Sequence, residues 1–104
     1  MIEILDTVER WRAEGQRVAL ATVVRVEQSA PRDPGAVMAV SERGEVAGSV
    51  SGGCVEAAVY EEASDAIGTG RPRLVTYGIS DAHAIEQGLT CGGTIHVFVE
   101  RLDW

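Results

Sequence analysis

Apolar residues Ile4, Leu5, Val8 and Trp11 recur at helical spacing near the start of the chain, with Asp6 and Glu9 on the opposite side. Gly15 follows where a helix would end, so the spacing predicts an amphipathic helix over 2–14. The pattern then changes. Val18-Ala19-Leu20-Ala21-Thr22-Val23-Val24 is apolar and rich in β-branched residues, with no alternation. Such a run predicts a strand at the centre of a sheet covered on both faces. Gln28-Ser29-Ala30-Pro31-Arg32-Asp33-Pro34-Gly35 is dense in turn residues and reads as a loop. Residues 36–40 and 45–50 predict a hairpin around Ser41-Glu42-Arg43-Gly44. The second of these strands runs through Ser51-Gly52-Gly53 into a helix. Val55, Ala58, Val59, Ala63, Ala66 and Ile67 form its expected buried stripe, and Gly68 and Gly70 are expected to end it. A strand over 73–77, a short helical turn over 81–87 capped by Ser80, and an alternating strand over 94–100 complete the chain. The prediction is an α/β fold, a single-domain sandwich with a mixed sheet of about five strands flanked by two or three helices.

Composition narrows the class. At 104 residues, with 45% hydrophobic and 24% charged positions, the chain has the make-up of one globular domain. Its formal net charge is −7, and all nine basic residues are Arg. An acidic surface without Lys argues against nucleic acid and against a polybasic membrane anchor. It leaves room for a small anion in a local pocket, whose field is set by nearby groups. No run approaches the roughly 18 apolar residues of a membrane span. The start MIEILDTVERW places acids in the first turns, so neither a signal nor a transit peptide is expected. Two cysteines without such a signal predict reduced thiols and a cytoplasmic location.

Candidate chemistry concentrates in two loops. In Gly48-Ser49-Val50-Ser51-Gly52-Gly53-Cys54-Val55-Glu56 a strand passes through a Gly-Gly turn into a helix. Glycines allow close approach of backbone to a ligand, and a helix start favours an anion, phosphate being the usual one. Ser49 and Ser51 add hydroxyl donors. With Gly53 as N-cap, Glu56 falls at the third helical position and competes for those N–H groups as half a capping box. From spacing alone the turn is as readily a plain turn without ligand. Cys54 at a helix start is expected to favour its thiolate, whereas a lone cysteine is commonly buried and inert. A second loop, Gly88-Leu89-Thr90-Cys91-Gly92-Gly93, again joins a cysteine to two glycines ahead of a strand. Two such turns suggest two backbones approaching one ligand, with a thiol from each. Arg32, between two prolines, is the best-placed side chain to reach an anion with its planar fork.

Sharper motifs do not match. A Walker loop needs a lysine, there is no G-x-G-x-x-G, and Ser49 stands where a nucleophile elbow around Ser51 wants Gly. Cys54, Cys91, His83 and His96 are zinc-ligand types without zinc-ligand spacing. His96 lies in the polar phase of its strand and His83 in a short polar turn, so both read as ordinary surface residues.

Taken together, Ala19-Leu20-Ala21-Thr22-Val23-Val24, Ser29-Ala30-Pro31-Arg32, the loop 48–56, Gly70-Arg71-Pro72, Tyr77-Gly78-Ile79-Ser80-Asp81 and the loop 88–93 resemble the N-terminal domain of the XdhC/CoxI family. Its members are accessory proteins for molybdenum hydroxylases such as xanthine dehydrogenase and carbon monoxide dehydrogenase. The resemblance implies an accessory or chaperone protein, not itself clearly an enzyme, that binds the molybdenum cofactor (molybdopterin) as cargo. It would support sulfuration of that cofactor and its delivery into a hydroxylase apo-enzyme. Carried over, Ser49, Ser51, Gly52, Gly53 and Cys54 form one wall of the site, Cys91, Gly92 and Gly93 the other, and Arg32 is a secondary contact. Cys54 and Cys91 are the implied molybdenum ligands. Many members continue into a Rossmann-type C-terminal domain, which is absent from residues 1–104, so a separate Rossmann-domain chain or a sulfurtransferase is an implied partner. Symmetry statistics favour a homodimer. Two other readings of the same residues stay open: a thiol redox or sulfur-transfer protein using Cys54 and Cys91, and a structural partner-binding module without ligand.

Overall fold

The computed structural model describes residues 2–27, 35–50, 55–78 and 93–102. Its elements are α1 (Ile2–Ala13), β1 (Val18–Glu27), β2 (Val37–Ser41), β3 (Val46–Gly48), α2 (Glu56–Thr69), β4 (Arg73–Gly78) and β5 (Thr94–Arg101). The strands form one sheet in the order β3-β2-β1-β5-β4. The unalternating run is therefore the central strand, as its pattern predicts.

Both faces of β1 are covered because a helix lies on each side. Ile4, Val8 and Trp11 of α1 pack with Val18, Leu20, Ala39 and Leu102 on one face. Val59, Ala63, Ala66 and Ile67 of α2 pack with Ala19, Ala21, Val23, Met38, Ile95, Val97 and Val99 on the other. The α1 layer is partial. Beyond it, Val24 and Leu74 are 50% and 62% exposed on strands β1 and β4. Trp11 is fully buried and donates its indole N–H to Glu45 at 2.8 Å, tying α1 to the β2–β3 turn.

The expected sandwich of five strands and two helices is present, but the sheet is not mixed. All four pairings are antiparallel. The helical crossover through α2 does join two strands of the same direction, β3 and β4. They lie at opposite edges of the sheet, so the parallel pairing that such a crossover suggests is never made. Double burial of β1 comes from two helical layers, a feature that parallel and antiparallel sheets share.

Other boundaries shift. The central strand runs on to Glu27 through a bulge, where Val23 pairs with Val97 and Arg25 with His96. The extra residue, Val24, breaks the period-two reading and reverses which face later residues occupy. The third strand ends at Gly48 instead of continuing to 50. The second helix starts at Glu56 with Val55, not Gly53, as its N-cap, and Ala58 of the expected stripe is exposed. Gly68 lies within the helix, and Gly70 ends it in a left-handed cap, its N–H donating to the Ala66 carbonyl. The expected helical turn 81–87 lies outside the described residues.

Candidate functional site

Strand direction determines where the motif loops attach. In a fully antiparallel sheet of this order, β1, β3 and β4 run one way and β2 and β5 the other. The ends Glu27, Gly48 and Gly78 therefore lie at the same end of the sheet as the starts Val37 and Thr94. Two sequence segments follow those ends directly, 28–34 with Arg32 after Glu27 and 79–92 with Cys91 and Gly92 after Gly78, while 51–54 with Ser51, Gly52, Gly53 and Cys54 follows Val50, two residues past Gly48. These segments, and with them most of the expected site, lie outside the described residues. Ser49 and Gly93 are the two expected site residues that are described.

Gly93 is buried directly ahead of Thr94, which pairs with Glu27 on one side and Gly78 on the other. Thr94 is thus held between the last residues of β1 and β4, and Gly93 immediately precedes it. The anchors of the two glycine–cysteine loops are staggered. Gly48 is opposite Met38, and Met38 opposite Ala21, whereas Thr94 is opposite Glu27. Six positions on a strand correspond to roughly 20 Å along its direction. The loops share an end of the sheet but start from different heights.

The stem of the first loop is built with a close approach at Gly48. Its φ is +82°, and a Cβ there would collide with the Val37 carbonyl oxygen. Only glycine lets β3 turn away from β2 at that point. After the turn Val50 is fully buried in the α2-side core. Ser49 does not present a free hydroxyl to a ligand. It donates to Glu56 Oε2 at 2.5 Å, and the Val50 N–H donates to the same oxygen at 3.0 Å. The expected half capping box is therefore replaced. With Val55 as N-cap, Glu56 is the first helical residue and reaches back to the strand it followed. Sequence spacing missed this bond because it depends on the helix starting later than the Gly-Gly pair suggests.

At the same end of the sheet, Tyr77 packs against the α2-side core with its hydroxyl buried and, among the described residues, without a hydrogen-bond partner. Burial, then the nearby Glu62 carboxylate, push its phenol above the ordinary tyrosine range. On the opposite face, His96 Nδ1 lies 2.9 Å from the Thr76 hydroxyl, and His96 Nε2 lies 3.7 Å from Glu27, which also pairs with Arg25 at 3.2 Å. His96 is thus in the expected polar phase but half-buried in a cross-strand row. Among the described residues no cluster of His, Cys, Asp or Glu could hold a metal ion.

A cleft of about 240 Å³ lies at the other end of the molecule, lined by Arg17, Ser41, Glu42, Ser64, Ile67 and Gly68. Its charges are paired internally. The Arg17 backbone N–H donates to Glu42 at 2.7 Å and, with the Arg17 charge, lowers the Glu42 pKa. Arg17 and Arg101 both donate to the Ile67 carbonyl, at 3.4 and 3.1 Å. That arrangement satisfies the carbonyl end of α2. It serves the helix and stands apart from the motif loops.

The XdhC and CoxI family model matches residues 11–78. The molybdenum cofactor insertion chaperone PaoD of Escherichia coli K12 is 41% identical over 100 residues, 92% of this chain and 31% of that protein. A probable xanthine dehydrogenase component of Bacillus subtilis is 36% identical over 89 residues, covering 84% of this chain and 27% of its own length. A crystal structure of a xanthine dehydrogenase from Bacillus halodurans superposes with a TM-score of 0.78 at 35% identity, over 94% of this chain and 30% of that one. The chain thus spans under a third of these relatives. By sequence match and by fold, it belongs to the XdhC and CoxI family.

Proposed function

We propose that this chain is the cofactor-holding domain of a maturation accessory protein. It carries the molybdenum cofactor as cargo and passes it to the apo-form of a molybdenum hydroxylase such as xanthine dehydrogenase. The observation that supports the reading best is topological: β1, β3 and β4, the strands that precede the segments carrying Arg32, Ser51–Cys54 and Cys91–Gly92, all run in one direction. The name of PaoD, an insertion chaperone 41% identical to this chain, supports the same cargo.

The proposed roles follow from the chemistry of that cargo. Its terminal phosphate suits backbone N–H groups of Gly52, Gly53, Gly92 and Gly93, with the Ser51 hydroxyl and the Arg32 guanidinium as further donors. Its soft metal–sulfur centre suits the thiolates of Cys54 and Cys91. Ser49 supports the loop through Glu56 in place of binding directly. Sulfuration assisted by a sulfurtransferase extends the proposal. The cytoplasm, which keeps thiols reduced, is the proposed location.

The cysteines provide the test. Cys54→Ala and Cys91→Ala should each weaken retention of the cofactor at least about tenfold, measured as pterin per folded chain. Retention by both variants equal to the starting protein would remove the thiolates from the site.

A further inference from the structure

The two edges of the sheet are finished differently. An edge strand presents unpaired N–H and C=O groups, and shortness, charge, proline or a bulge commonly blunts it. β3 has three residues, ends in the left-handed turn at Gly48 and packs beneath α1. β4, the other edge, has none of these protections. It has six residues, pairs with β5 from Arg73–Val99 to Gly78–Thr94 without a bulge, and carries neither charge nor proline over 74–78. Among the described residues no strand lies on its outer side.

The face beside this edge is bare as well. α1 packs over β1, β2 and β3. Leu74 lies directly opposite Phe98, and Phe98 opposite Thr22, so a row of side chains crosses β4, β5 and β1 on the side where α1 packs. The row ends at the edge in Leu74, which at 62% is the most exposed large apolar side chain among the described residues. A strand laid beside β4 would continue it and satisfy the open backbone groups together.

A second copy of β4 fits that position. About a two-fold axis perpendicular to the sheet, two such strands pair antiparallel and keep their faces in common. Centred on Val75, the pairing sets Leu74 opposite Thr76 of the partner subunit and Arg73 opposite Tyr77 of the partner subunit. The two Leu74 side chains then become diagonal neighbours on the bare face, roughly 7–8 Å apart at the backbone. Charge permits the arrangement. Arg73 is the one charged residue of β4, and four strand positions, roughly 13 Å, separate it from its counterpart. Its guanidinium is held by Glu62 and Asp65 of its own α2, at 3.0 and 2.6 Å.

We propose that β4 is a self-association edge, through which two copies of this chain pair antiparallel and join their five-stranded sheets into one. A joint one strand long, roughly 20 Å, buries less than the about 1,600 Å² of a standard stable interface. The dimer is therefore weak and exchanges with monomer at micromolar concentrations. Its formation is independent of the cofactor reading.

Sedimentation velocity of the full chain over about 1–500 µM tests the pairing, and the sedimentation coefficient should rise from the monomer value toward that of a dimer. Over the same range, amide exchange in β4 should slow at least about tenfold while exchange in β3 stays constant. Leu74→Lys places a charge at a position already exposed, so the fold is kept, and it should raise the dimer dissociation constant about tenfold or more. Leu5→Lys, on the exposed side of α1, and Val24→Lys, two strands from the joint, should leave that constant within about threefold of its starting value. A chain that stays monomeric throughout, or whose β4 amides are equally protected at every concentration, would overturn the proposal. A dimer that survives Leu74→Lys but is lost in Val24→Lys would show packing through the bare face and would overturn edge pairing. Insensitivity of the dimer to all three substitutions would do the same.

Discussion

Gly48 fixes the path of the backbone as it leaves β3. Its positive φ and the collision that a Cβ would make with the Val37 carbonyl leave no room for a side chain. Because the obstacle is backbone, β2 itself would have to move. Gly48→Ala should therefore destabilise the fold by about 2–4 kcal/mol, combining left-handed strain with displacement of the strand. For a domain of this size that corresponds to a fall in Tm of roughly 10 °C or more. A thermal melt indistinguishable from that of the starting protein would show that the turn forms in some other way. The sequence pointed to this glycine only as part of a loop. Its steric reason appears once β2 is known to lie beside it.

Among the elements, α1 is held by one residue above all. Trp11 is fully buried between the helix and the sheet, and its indole N–H reaches Glu45 in the β2–β3 turn. Trp11→Phe keeps most of the apolar burial and loses that bond, so it should cost about 1–2 kcal/mol in urea unfolding. Trp11→Ala also leaves a cavity and should cost about 3–5 kcal/mol. A phenylalanine variant as stable as the original would mean that the bond to Glu45 adds nothing. The elements themselves were readable in advance where periodicity was strong. The helix over Ile4, Val8 and Trp11 and the doubly buried strand from Val18 appear as their patterns predict. Periodicity failed at the bulge, where Val24 inserts into β1 and shifts the phase by one. It failed again at the start of α2, where Gly-Gly offered a capping site that the helix does not use. Sheet direction was not legible either, because burial on both faces looks the same in a parallel and an antiparallel strand.

Across the molecule, the two ends of the sheet differ in character. One end is closed by tight polar contacts: the turn at 42–45, the Arg17 and Arg101 bonds to the Ile67 carbonyl near the end of α2, and the pairing of Arg73 with Glu62 and Asp65 at 3.0 and 2.6 Å. Toward the other end run β1, β3 and β4, the three strands that precede the segments in which the sequence placed paired glycines, cysteines and Arg32. Their common direction follows from strand order and antiparallel pairing, neither of which a single sequence displays. The motif residues could be recognised from the chain. The shared direction of the strands before them could not. The function proposed for the protein depends on this end holding molybdopterin. Titrating the purified chain with molybdenum cofactor under reducing conditions, and measuring pterin bound per chain, tests that dependence directly. Binding should saturate near one cofactor per chain and be lost when Cys54 and Cys91 are both replaced by Ala. A folded chain that retains no cofactor at micromolar concentration would refute the reading.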